Sequence, residues 1–167
     1  MNVLWSYFWP VFAAGLVIGA IAGSIAFRRK RSGRMTALAA GCLLSIACAG
    51  LWHGPLGGAN RFASEVERIA RIVLVNYEAP AGMTARIHHG PLTRQLILSG
   101  PGNDFQRREA VRLLSQIPGV SQAAWGRTAG IPLIVESAIV SVLGFLLGLL
   151  FAYLVELRRR YNAQWKW

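Results

Sequence analysis

Three long stretches without a charged side chain constrain this chain more than any other feature. Residues 3–27 carry no charge, and neither do residues 36–52 or 137–155. The first is roughly 25 residues long, enough to cross a ~30 Å hydrocarbon core with some tilt. Charged residues make up only 15% of the chain, against about 25% in an ordinary soluble domain. The spacing predicts transmembrane helices over 1–27, 36–53 and 131–157, with a basic turn at 28–35, a linker at 54–60 and a basic tail at 158–167. What is left, 61–127, reads as one small water-soluble module.

The charge that is present is basic, 18 Lys and Arg against 7 acids, and much of it lies beside the apolar runs. Arg28, Arg29, Lys30, Arg31 and Arg34 fill the first turn, and Arg158, Arg159 and Arg160 follow the third run. Cations flanking a span stay in the cytoplasm. One topology then satisfies all three spans: N-terminus outside, 28–35 inside, 61–127 outside, C-terminus inside. A cleaved leader is the competing reading of the first run, but no cation precedes it. Trp5, Tyr7, Trp9 and Trp52 suit the outer interface, and Trp165 and Trp167 suit a tail lying on the membrane. No nucleic-acid partner is expected, because topogenic charge accounts for the clusters; membrane lipids are.

Gly15, Gly19 and Gly23 recur every four residues, and Gly144 and Gly148 form one GxxxG. Such stripes let a second helix approach closely. They imply packing within the chain, a protein partner or a homo-oligomer, although glycine is also simply frequent in membrane helices. Cys42 and Cys48 are six residues apart, on opposite sides of a helix, so a disulfide between them is not expected. Glu136 stands at the edge of the third run, as an interface residue or as a proton- or ion-handling carboxylate.

Within 61–127 the periodicity changes. Phe62, Val66, Ile69, Val73 and Tyr77 predict one apolar helix face over 61–77, with Glu67 and Arg71 as an i, i+4 ion pair on the other. Met83, Ala85 and Ile87 alternate with polar residues, as in a strand. Leu96, Ile97 and Leu98 predict a buried second strand over 94–99. Asn103 and Gln106 have capping-box spacing, and Ala110, Leu113, Leu114 and Ile117 form the next helical stripe. A short strand over 120–125 closes the module. The fold class is α+β: three transmembrane helices, with a small αββαβ domain inserted between helices two and three and both of its helices on one sheet face.

Three segments carry a family resemblance: Leu96-Ile97-Leu98-Ser99-Gly100, a strand closing on glycine; Arg107-Arg108-Glu109-Ala110-Val111-Arg112-Leu113-Leu114; and the helix-to-strand turn Ile117-Pro118-Gly119-Val120-Ser121-Gln122-Ala123. Together with the element order, they resemble the BON domain of bacterial periplasmic osmotic-response and nodulation-related proteins. The turn His89-Gly90-Pro91-Leu92-Thr93-Arg94 is longer than the family's one-glycine turn. The resemblance implies a bacterial inner-membrane protein whose periplasmic domain binds phospholipid or supports the envelope, without catalysis.

The residues offer little chemistry of their own. His88 and His89 would point to opposite faces of a strand, and the five acids of 61–127 form no recognisable pair. No metal, cofactor or enzymatic activity is expected. The module's cations are nine arginines, which fork onto phosphate and carboxylate. Arg107, Arg108, Arg112, Arg68 and Arg71 are the candidate contacts to anionic lipid or a partner, against the alternative of a solvated helix face. A structural reading competes with this binding module: an accessory subunit docked on a larger inner-membrane complex.

Overall fold

The computed structural model of the protein describes residues 3–28, 31–126 and 130–164. Arg29, Lys30, Arg127, Trp165 and Trp167, to which the sequence assigned roles, lie outside them. The chain order is α1 (Val3–Ala26), α2 (Arg31–His53), α3 (Gly58–Asn76), β1 (Thr84–His89), β2 (Leu92–Ser99), α4 (Asp104–Leu114), β3 (Gln122–Trp125) and α5 (Leu133–Gln164). α1, α2 and α5 are each long and apolar enough to cross a membrane. The chain divides into two compact units, Met1–Tyr7 with Gly57–Glu136, and Phe8–Leu56 with Ser137–Trp167.

In the helical unit, the glycine stripes of α1 and α5 meet each other. A Cβ on Gly15 would strike the Ser141 carbonyl, one on Gly19 the Phe145 carbonyl, and one on Gly148 the Leu16 carbonyl. Contacts advance in the same direction along both helices, so α1 and α5 run parallel. α2 runs against them: Gly41 packs on Ala22 and Phe145, and Ser141 Oγ donates to the Ser45 carbonyl at 2.8 Å. Of the occupants the sequence left open for the glycine faces, the chain itself supplies one: α1 and α5 fill each other's stripes. Outward lie Leu43, Leu44, Leu146, Leu150 and Phe151, all exposed. A surface this apolar suits hydrocarbon and not water.

Several boundaries differ from the sequence reading. The basic turn shrinks because α2 begins at Arg31, with Arg34 packed over the Phe27 ring at 5.2 Å. The linker ends sooner because Gly57, at φ 73°, starts α3 directly. α5 continues through the expected tail to Gln164, since Leu157 and the arginines favour helix and Arg160 pairs with Glu156 one turn back at 3.1 Å.

The other unit is built on a three-stranded mixed sheet in the order β1-β2-β3. β1 and β2 form an antiparallel hairpin, and α4 is the crossover that makes β3 parallel to β2. Ile87 faces Leu96, Ala85 faces Leu98, and Leu96 faces Ala123. These residues share the face that meets the helices, and Ile87, Leu96, Leu98 and Ala123 are buried. Burial of a leucine is worth about 1.5–3 kcal/mol, so central β2 anchors the core. β2 starts at Leu92, earlier than predicted; His89 pairs with Leu92 across Gly90-Pro91, a cis bond, so the turn is short and not extended. The α3 stripe also shifts. Gly58, Ala59, Phe62, Ala63, Val66, Ala70 and Leu74 are the buried residues, and Ile69, Val73 and Tyr77 sit at its margin. Small alanines let α3 lie close to the sheet, which a count of large apolar residues overlooks.

Candidate functional site

α4 presents the simplest charged surface. Its start is set by a complete capping box: Gln106 N–H donates to Asn103 Oδ1 at 2.8 Å, and Asn103 N–H donates to Gln106 Oε1 at 3.0 Å. Ala110 and Leu114 are buried. This rotation leaves Phe105, Arg108 and Arg112, at i, i+3 and i+7, on one outward line. Phe105 is 66% exposed, an aromatic side chain in water at the N-terminal end of a line that continues through Arg108 to Arg112. Arg112 pairs with Glu109, and its hydrogen bonds hold the Glu109 carboxyl below the usual carboxylate range. The pair therefore stabilises the helix above that range, and the contribution is lost as pH falls through the lowered value. Arg107 turns aside to lie over the Trp125 ring at 4.9 Å, while Trp125 Nε1–H donates to the Arg107 carbonyl at 3.3 Å.

The arginines of α3 belong elsewhere. Arg68 donates to Glu65 at 2.6 Å, which lowers the Glu65 carboxyl. The predicted Glu67–Arg71 pair does not form. Glu67 Oε1 instead accepts the Ile87 backbone N–H at 3.0 Å and lies 3.5 Å from His89 Nε2. A backbone N–H on the outer edge of a strand needs a partner, and a carboxylate is a strong one. Arg71 is left to line a cleft of about 500 Å³ between the end of α3, the loop 79–83 and β1, together with Arg86 and His89.

A third feature was missed from sequence. Arg94 on β2 pairs with Glu136 at 3.2 Å, both side chains about a quarter exposed. Thr93 also bridges Pro132, so the first turn of α5 is fastened to β2. Nothing in local spacing signals a contact between residues so far apart in the chain. Arg94→Met leaves a half-buried carboxylate without its cation and should cost about 1–2 kcal/mol, below a fully buried pair because solvent screens it. Unfolding curves of Arg94→Met, Glu136→Gln and the double variant check this; fully additive losses would exclude a direct coupling.

Of the five candidate arginines, then, α4 aligns Arg108 and Arg112, and Arg107, Arg68 and Arg71 have separate surroundings. Among the described residues no group of three or more His, Cys, Asp or Glu side chains is placed to hold a metal ion. Compared with protein-family models, curated proteins and solved structures, the chain matches none.

Proposed function

We propose that this chain is a bacterial inner-membrane binding module without catalytic activity, whose BON-like domain faces the periplasm and contacts anionic phospholipid. The observation that carries the reading is the outward line Phe105, Arg108 and Arg112 on α4. An aromatic side chain that enters the headgroup layer, beside arginines that fork onto phosphate, is the pattern of a surface helix that adsorbs to lipid. Two further features support it. Strand order β1-β2-β3, with both helices on one face, agrees with the BON resemblance, and Gly100 and Gly119 close their elements at positive φ. In the helical unit, Arg28, Arg34 and Arg158 to Arg160 gather at one end of the helices, as the positive-inside rule requires of a cytoplasmic end.

The test uses the whole chain held in a non-ionic amphipol, with empty nanodiscs as the lipid probe. Phosphatidylglycerol discs should bind and phosphatidylcholine discs should not, with affinity falling as salt rises. At about 1 kcal/mol per arginine near an anionic surface, replacing both Arg108 and Arg112 by serine should weaken binding at least about tenfold. Phe105→Ser should weaken it also. Glu109→Gln should tighten it, because Arg112 loses its competing carboxylate. No binding to phosphatidylglycerol at low salt would sink the lipid reading.

A further inference from the structure

We propose that the cleft between α3 and β1 receives an extended acidic segment of a partner protein, which adds to the sheet along the outer edge of β1. β1 is an edge strand, paired only with β2. Its outward backbone groups alternate. Because the Ile87 N–H points out, to Glu67, the N–H and carbonyl of Ala85 point out as well. Glu67 therefore covers one outward donor of this edge, and Ala85, within the cleft, keeps an edge open to pairing. A backbone edge recognises another backbone through matched donors and acceptors; a lipid headgroup has no such pattern.

Charge selects the kind of segment. Arg71 and Arg86 both line the cleft, and neither pairs with an acid among the described residues. The only acid among the lining residues, Glu67, is engaged by Ile87 and His89. Leu74 and Met83, both buried, give the cleft an apolar floor for alternate side chains. A segment with acids on one side and apolar residues on the other matches all three features. A second copy of this chain does not supply one. Its net charge is +11; six of its seven acids, Glu65, Glu67, Asp104, Glu109, Glu136 and Glu156, lie on helices, and the seventh, Glu78, stands alone in the turn after α3.

The probe is a fluorescein-labelled octapeptide alternating valine and glutamate, titrated into the full chain in non-ionic detergent and read by anisotropy. It should bind at least tenfold tighter than the valine–lysine peptide. The same peptide methylated at every backbone nitrogen should bind about tenfold weaker, since it cannot donate to the edge. Arg71→Ser with Arg86→Ser should also cost about tenfold, and an unchanged melting temperature shows that these exposed substitutions leave the fold intact. Four results overturn the proposal: no binding, no preference for glutamate, equal binding of the methylated peptide, or insensitivity to the two arginines. If the peptide fails while phosphatidylglycerol discs depend on Arg71 and Arg86, the cleft is a lipid site instead.

Discussion

Gly148→Ala should lower the stability of the helical unit by about 2–3 kcal/mol, a large effect for one methyl group. The added Cβ would strike the Leu16 carbonyl oxygen and approach the Ala20 nitrogen to 2.7 Å. Both are backbone atoms of α1, so no side chain can rotate away and the two helices must separate. Separation also opens the neighbouring contacts of Gly15, Gly19 and Gly144, which all meet backbone across the same seam. In hydrocarbon the loss is not recovered by a hydrophobic gain, because helix association there rests on close packing. Gly50→Ala is the matched control. It sits in α2 with nothing within 4 Å of its Cβ position, and alanine is the better helix former, so it should be neutral or slightly stabilising. Denaturation by sodium dodecyl sulfate from mixed micelles measures both. Equal effects at Gly148 and Gly50 would mean that α1 and α5 do not touch as described.

That seam also marks what could be read from the chain alone. The glycine period placed Gly15, Gly19 and Gly23 on one face, but periodicity names a face and not its neighbour. The capping box at Asn103 and Gln106 was legible because both halves lie within one turn. The pairing of Glu67 was not. Its i, i+4 relation to Arg71 is a local preference of a few tenths of a kcal/mol, and an edge-strand N–H twenty residues away competes successfully with it. Glu136 stood out at the edge of its apolar run, but its pairing with Arg94 escaped notice for the same reason, since Arg94 looks ordinary in its own segment and lies far from it in the chain. Phe105 was hidden differently. It lies one residue after Asp104, outside the apolar stripe, and only the rotation of α4 about Ala110 and Leu114 shows that it faces out beside Arg108. Local rules thus recovered elements and caps, while the surfaces that could bind anything came from contacts between elements.

Gly100→Ala should be the most damaging single methyl in the sheet-containing unit, about 3 kcal/mol, because two separate penalties fall on one residue. The first is conformational: Gly100 has φ 117°, outside even the left-handed region that other residues occasionally adopt. The second is steric: a Cβ there would strike the Gly82 carbonyl oxygen and lie 2.7 Å from Met83 Cα. Again the obstacle is backbone, and here it is the loop that walls the cleft. Gly57→Ala separates the two penalties. Gly57 has φ 73° and nothing within 4 Å of its Cβ position, so alanine should cost only the left-handed penalty, about 1 kcal/mol. Gly119 lies between them, at φ 105° with the Phe62 ring 3.3 Å away, a side chain that can shift. The expected order of melting temperatures is therefore Gly57→Ala highest, Gly119→Ala next and Gly100→Ala lowest. Loss of about 3 kcal/mol is a large share of the stability of a small domain, so Gly100→Ala should also raise hydrogen exchange at Met83, whose N–H bonds the Pro80 carbonyl, and at Arg86, whose N–H points in to β2. An equal loss for Gly57→Ala and Gly100→Ala would show that the 79–83 loop does not pack against the end of β2, and the cleft would lose its wall.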